Sequence, residues 1–203
     1  MNELQPFLEI DMNCRMHRFP SIIVILAVCL QVPLALPDPA LAGNLSAELN
    51  AGLSLPGDNL NPRFDAEFFT SVLLEYSYNP YFSWFTTLGF TKFDRKQYPV
   101  DTDFAIYHLA LDGALSYPIL PALRASAFGG MGLYLWQSDR AWWVDGRSKD
   151  SGDVGFNYGF SLDYRFYSAW SVVSRIMYHS VRIEDSSSYF RWADAMLGIR
   201  YTF

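Results

Sequence analysis

The chain has 203 residues, a formal net charge of −6 and a pI near 4.9; 51% of its residues are hydrophobic, 17% aromatic and 18% charged. A chain this apolar is not disordered, and its acidic balance excludes a nucleic-acid binder, whose partner demands clustered Lys and Arg. Beyond residue 42 no apolar run reaches the roughly 18 residues of a membrane helix, so the 16 Phe, 13 Tyr and 6 Trp need another destination.

Residues 1–42 read as a cleavable signal peptide. Arg15, His17 and Arg18 precede an apolar stretch from Ile22 to Leu36, Pro37-Asp38-Pro39 breaks it, and Ala40-Leu41-Ala42 follows as a small-residue cleavage site. Met12 or Met16 is an alternative start, which would make the preceding residues a spurious extension. A retained anchor helix is one alternative. A lipoprotein is another, through Leu26-Ala27-Val28-Cys29, but Val28 is bulky for the position before the cysteine. Cys14 and Cys29 both lie in this leader, so residues 43–203 can form no disulfide, thiol nucleophile or Cys-ligated metal site.

From Gly43 onward the dominant period is two, which marks strands with unlike faces. The first strand sets Leu45, Ala47, Leu49, Ala51, Leu53 and Leu55 against Ser46, Glu48, Asn50, Gly52 and Ser54. The second, 68–78, sets Phe68, Val72, Leu74, Tyr76 and Tyr78 against Phe69, Ser71, Leu73, Glu75 and Ser77. After Asn79-Pro80 comes the third, 82–91, with Phe82, Trp84, Leu88 and Phe90 on one face. The fourth spans 105–117 and the fifth 123–135. The sixth, 154–166, alternates Val154, Phe156, Tyr158, Phe160, Leu162, Tyr164 and Phe166 with Gly155, Asn157, Gly159, Ser161, Asp163 and Arg165. The seventh covers 170–179 and the eighth 193–203.

Each strand is about 9–13 residues long, enough to cross a bilayer at a tilt. Short connections at 79–80, 118–121 and 167–168 alternate with long polar ones near 56–65, 93–103, 137–153 and 181–190. This predicts an all-β fold: an eight-stranded antiparallel up-and-down transmembrane barrel over 43–203, with short turns at one end and long loops at the other. A soluble barrel would turn its apolar face inward. Here the other face is rich in Gly, Ser, Ala and Thr, which suits a narrow lumen. Tyr76, Tyr78, Phe82, Trp84, Tyr117, Tyr164, Phe166, Trp170, Tyr201 and Phe203 gather beside the short turns as an interfacial girdle. Lys92 and Arg191, in phase with the apolar face, sit near the loop ends.

On these features the chain resembles the small outer-membrane β-barrel family, the OmpA/OmpX-like eight-stranded class, over the whole of 43–203. Its ending is the most specific piece: Leu197, Ile199, Tyr201 and Phe203 alternate up to a terminal Phe. In that family such an ending resembles the signal read by the barrel-insertion machinery. The resemblance implies the outer membrane of a Gram-negative bacterium, both termini periplasmic, contact with outer-membrane lipid and lipopolysaccharide, and a monomer. Fold alone does not assign an activity.

Eight charged residues fall in the inward phase near the short turns: Glu48, Glu75, Asp112 and Asp163 with Arg124, Arg165, Arg175 and Arg200. A buried charge needs a partner, and Arg pairs carboxylates bidentately. An ion-paired plug is therefore expected rather than a wide pore, with solvation at the periplasmic rim, or a narrow solute channel, as alternatives.

The enzyme search is weaker. Tyr178-His179-Ser180 resembles the His-x-Ser pair of lipid A deacylases, with Glu184 nearby, but adjacent strand residues point to opposite faces, so His179 and Ser180 do not share a proton. The ending Gly198-Ile199-Arg200-Tyr201-Thr202-Phe203 resembles omptin proteases, whose Asp-x-His pair is missing here. His108 and His179 lack metal-ligand spacing, and no cofactor motif is present. A non-enzymatic envelope or surface-contact role is expected, carried by loops in which Arg140, Trp142, Trp143 and Arg147 combine aromatic rings with cations, the chemistry of binding hot spots. The alternative is that both Trp rings lie at the membrane interface.

Overall fold

The computed structural model describes residues 44–57, 65–93, 104–138, 150–182 and 189–203. They form eight strands: β1 Asn44–Pro56, β2 Glu67–Asn79, β3 Phe82–Phe93, β4 Phe104–Leu120, β5 Leu123–Ser138, β6 Asp150–Tyr167, β7 Trp170–Arg182 and β8 Tyr189–Thr202. Consecutive strands pair antiparallel, and β1 pairs β8 from Ser46↔Thr202 to Pro56↔Trp192, which closes the barrel. The segment 1–42, read above as a signal peptide, lies outside the described residues, as do 58–64, 94–103, 139–149 and 183–188 within the long connections.

The turn chemistry is local. Asn79 Oδ1 accepts from the backbone N–H groups of Tyr81 and Phe82, both at 2.8 Å, so the side chain closes the β2–β3 hairpin. Single-residue register shifts between Ser77 and Asn79, Pro118 and Leu120, and Arg165 and Tyr167 fall beside the three tight turns. Such bulges terminate a ladder without leaving a long unpaired edge.

The outward row is apolar and exposed: Leu49 is 65% accessible, Leu115 69% and Leu197 65%, values tolerable only where lipid replaces water. At the turn end several girdle rings pack on one another in two groups. Trp170 and Tyr201 lie 4.9 Å apart edge to face, Tyr201 and Phe203 5.1 Å, and Phe82 and Trp84 5.0 Å. Tyr76 and Phe82 are half-buried, the other members exposed.

The inward row differs from the polar, small-residue face read from the sequence. It carries two buried apolar clusters. One, at the loop end, joins Phe93, Ile106, Tyr134, Trp136, Val181, Phe190 and Trp192. The other fills the middle with Phe69, Leu73, Phe85, Ala114, Phe128, Met177 and Met196. The strands run further at their loop ends than the alternation indicated, to Phe93 in β3, Ser138 in β5 and Arg182 in β7, and β8 begins at Tyr189. These extra turns of pleat supply most of the loop-end cluster.

Inward glycines let large side chains reach past a neighbouring strand. Asp112, Gly130 and Asn157 lie on one register line across β4, β5 and β6, and Asn157 Nδ2 donates to Asp112 Oδ1 at 2.6 Å over the bare glycine. A Cβ on Gly130 would fall 2.7 Å from Asp112 Oδ1 and collide with the Leu111 carbonyl oxygen. Tyr134 uses Gly155 in the same way: a Cβ there would lie 2.8 Å from Tyr134 Cε2. Gly130→Ala is therefore expected to lower stability by about 1–3 kcal/mol. Gly129→Ala, one residue away on the outward face with its nearest neighbour at 3.5 Å, is expected to be close to neutral. Urea unfolding of both variants in the same detergent checks the contrast; equal stabilities would refute the steric account.

Candidate functional site

The lumen is the candidate site, and its side chains lie in layers from the turn end to the loop end. The layer nearest the turns is charged. Glu48 on β1 is 2% accessible and accepts from two arginines. Arg175 Nη2 on β7 donates to its two oxygens at 3.1 and 3.2 Å, and Arg200 on β8 donates to Oε2 from Nε at 2.9 Å and from Nη2 at 2.5 Å. Arg200 also reaches Glu75 Oε2 at 2.8 Å and Asp163 Oδ2 at 2.6 Å. Arg124 on β5 bridges the same two acids, at 3.1 Å to Asp163 and 3.4 Å to Glu75. Three carboxylates and three guanidiniums thus cross-link β1, β2, β5, β6, β7 and β8 across the barrel. Their charges balance, which removes the main objection to burying them.

Two of the eight inward charges stand outside this network. Arg165 is exposed, and its Nη2 donates to the Pro121 carbonyl at 3.0 Å. It lies two residues beyond Asp163 on β6, at the last register pair before the shift that leads into the turn, below the acids. Asp112 is fully buried but sits higher, where Asn157 is its hydrogen-bond donor and Oδ2 has no partner among the described residues. Their height along the barrel separates both from the ion pairs.

Above the charged layer Arg175 runs between aromatic rings, its Cζ 4.9 Å from the Phe85 centroid and 5.0 Å from that of Phe128. A guanidinium over two ring faces keeps favourable electrostatics while it spans an apolar layer. Arg175 thereby carries the ion pairs into the apolar middle, where Asp112 is held by the Asn157 amide.

Nearer the loops lies a second polar network that the sequence reading did not assemble. His179 Nε2 is 2.8 Å from Asp194 Oδ2, Tyr134 Oη is 2.9 Å from His179 Nδ1, and Ser54 Oγ donates to Asp194 Oδ1. A carboxylate only accepts, so Nε2–H donates to Asp194, and in the neutral imidazole Nδ1 is then the acceptor for the Tyr134 hydroxyl. Trp192 stacks on His179 at 4.5 Å and 11°, and His108 lies 5.0 Å away, stacked in turn on Phe69. Ser54, His179 and Asp194 are the residue types of a hydrolytic triad, but Ser54 bonds the carboxylate rather than the imidazole, so no base activates it. Tyr134, Asp194 and Ser54 each stood in inward phase. Their meeting with His179 was hidden because β5, β7 and β1 are not all neighbours.

Of the deacylase-like set, His179 and Ser180 do not face each other. His179 faces the lumen fully buried, Ser180 lies in the opposite phase and is half-buried, and Glu184 lies outside the described residues. Arg140, Trp142, Trp143 and Arg147 also lie outside them. Among the described residues no group of three or more His, Cys, Asp or Glu is arranged to hold a metal. Leu197, Ile199, Tyr201 and Phe203 form one outward row, all exposed, from 36% accessible at Tyr201 to 71% at Phe203.

Removing one member of a buried ion network leaves an uncompensated buried charge, at a cost of about 3–5 kcal/mol. Arg200→Met, which leaves three carboxylates facing two guanidiniums because Glu48 keeps only Arg175 while Glu75 and Asp163 share Arg124, is expected to destabilise the barrel by about that amount. Arg165→Met, exposed at the rim, is expected to change stability by less than about 0.5 kcal/mol. Equilibrium unfolding in lipid or detergent separates the two; equal effects would show that the buried network is energetically idle.

The sequence matches the family described as outer membrane protein beta-barrel domain over residues 22–203. Among curated proteins none matches. Solved structures share the fold at low identity. Neisserial surface protein A aligns at 13% identity with a TM-score of 0.62, over 78% of this chain and 97% of that one. The attachment invasion locus protein Ail of Yersinia pestis, crystallised with the heparin analogue sucrose octasulfate, aligns at 15% identity and 0.52, over 79% and 99%. A major outer membrane protein from Thermus thermophilus aligns at 13% and 0.55, over 80% and 100%. The closed eight-stranded antiparallel barrel, its exposed apolar belt and the family match agree: this chain belongs to the outer membrane protein beta-barrel domain family.

Proposed function

We propose that this protein is a non-conducting, non-enzymatic outer-membrane barrel whose role, in envelope structure or surface contact, is carried by the long loops facing the cell exterior, with both termini in the periplasm. The observation that carries this reading is the filled lumen. The ion network of Glu48, Glu75, Asp163, Arg124, Arg175 and Arg200 occupies the turn end, and the ring cluster of Phe93, Tyr134, Trp136, Phe190 and Trp192 the loop end. Eight strands leave only enough interior for side chains to fill, and both ends are occupied. The polar groups nearest to a catalytic constellation lie inside, away from any lipid or polymer substrate. What remains for recognition is the long loops, with Arg140, Trp142, Trp143 and Arg147 in the third. The relatives named as a surface protein and an attachment invasion locus favour surface contact over transport.

In planar bilayers the purified protein is expected to give no stable openings, whereas Arg200→Ala with Glu48→Ala, which empties the centre of the charged layer, is expected to raise leak current. Large, long-lived conductance from the unaltered protein would replace this reading with a channel. In intact cells an epitope inserted after Arg147 is expected to bind antibody, and one placed between Ser168 and Ala169 is not. The reverse labelling would invert the orientation.

A further inference from the structure

The outward face of the barrel carries an asymmetry of charge. Among strand residues whose side chains are described, three charged groups lie in the outward phase: Lys92 on β3, Arg182 on β7 and Arg191 on β8. All three are cations at the loop end, although the chain as a whole is acidic. Two of them are adjacent. The register pairs Arg182 with Tyr189 and Ser180 with Arg191, so the two arginines are diagonal neighbours on one face, about 7–8 Å apart by sheet geometry. Both are exposed, and Arg191 Cζ lies 5.5 Å over the Tyr189 ring, which holds that guanidinium against the barrel. Two guanidinium groups at this spacing can take one phosphate between them, each offering a planar pair of donors.

A second, independent feature lies directly below. The next two outward residues of β8 are Ala193 and Ala195, both half-buried. Their register neighbours are larger on both sides: Leu55 and Tyr178 flank Ala193, and Leu53 and Ile176 flank Ala195. Those four stand out at 41–51% accessibility. The small residues thus floor a trough that runs from Arg191 toward the membrane centre, walled by aliphatic and aromatic side chains. A phosphate clamp at the interface above an apolar trough fits a lipid that carries both a phosphate and an acyl chain.

We propose that the loop-end half of the outer face of β7 and β8 binds one phosphorylated glycolipid of the lipid A type from the surrounding leaflet. Arg182 and Arg191 hold a headgroup phosphate, and the trough over Ala193 and Ala195 receives an acyl chain. Lys92, on a separate arc of the barrel, is not part of this site. The proposal depends on the barrel's place in the outer membrane and not on whether its lumen conducts.

The test uses the folded full-length barrel in phosphatidylcholine nanodiscs doped with bis-phosphorylated lipid A, with lipids retained after detergent release counted by native mass spectrometry. Each cation near an anionic interface contributes about fivefold to affinity, so Arg182→Gln with Arg191→Gln is expected to weaken retention about 30-fold. Lys92→Gln is expected to leave retention unchanged. Ala195→Phe, which blocks the trough while keeping both arginines, is expected to weaken it several-fold. Lipid A stripped of its phosphates should bind the unaltered protein as poorly as intact lipid A binds the double variant. Heat-modifiable gel migration confirms that each variant is folded. For a variant that does not fold, the salt dependence of retention by the unaltered protein stands in, because a phosphate clamp weakens as salt rises. Equal retention by the unaltered protein and the double variant, equal retention of phosphatidylglycerol and lipid A, or retention insensitive to salt would overturn the proposal.

Discussion

The structure depends on one constraint. In hydrocarbon a backbone N–H or C=O without a partner costs several kcal/mol, so a sheet in lipid cannot have an edge. The ladder between β1 and β8 meets that constraint, because it joins the first and last strands along most of their length. Without it two rows of backbone groups would face lipid. Closure dictates the rest. The outer row must be apolar, the connections must leave the hydrocarbon, and a narrow interior must be filled.

The interior is filled in two chemically different ways. At the turn end, burying three carboxylates is tolerable because three guanidiniums reach them with short, multiple hydrogen bonds. Such a network does not add stability beyond what a well-packed apolar layer would give. It does fix which strand faces which, since Glu48 pairs Arg200 directly across β1 and β8, and Arg124 pairs Asp163 across β5 and β6. At the loop end the filling is aromatic. Between them Asp112 has one donor, Asn157, and Arg175 passes between two rings. The polar network of His179, Asp194, Tyr134 and Ser54 ties four strands together inside this otherwise apolar region.

Strand number, order and facing were legible because each strand is amphipathic at period two and the tight turns carry Asn, Pro or Ser. The charged layer was legible as a set of inward residues, but not as a height: periodicity tells which side a residue faces, and only the staggered register places Arg165 below the acids and Asp112 above them. The loop-end ring cluster was missed for a related reason. Phe93, Trp136, Phe190 and Trp192 stand where alternation gives way to loop composition, so alternation alone ends the strands a few residues short. The bridge from Tyr134 to His179 skips a strand, and its only local mark is Gly155, a residue whose meaning depends on what leans over it.

The cross-lumen contacts bear on how the barrel deforms. A closed ladder of hydrogen bonds is a hoop: it resists being cut, but it can be squeezed into an ellipse with little stretching of any bond. Arg175 reaches from β7 to rings on β3 and β5, Arg124 from β5 to Glu75 on β2, and Arg200 from β8 to β2 and β6. These contacts act as spokes. Squeezing the hoop along any diameter must compress some spokes and stretch others, so the cross-section stays round while the lateral pressure of the bilayer fluctuates around it.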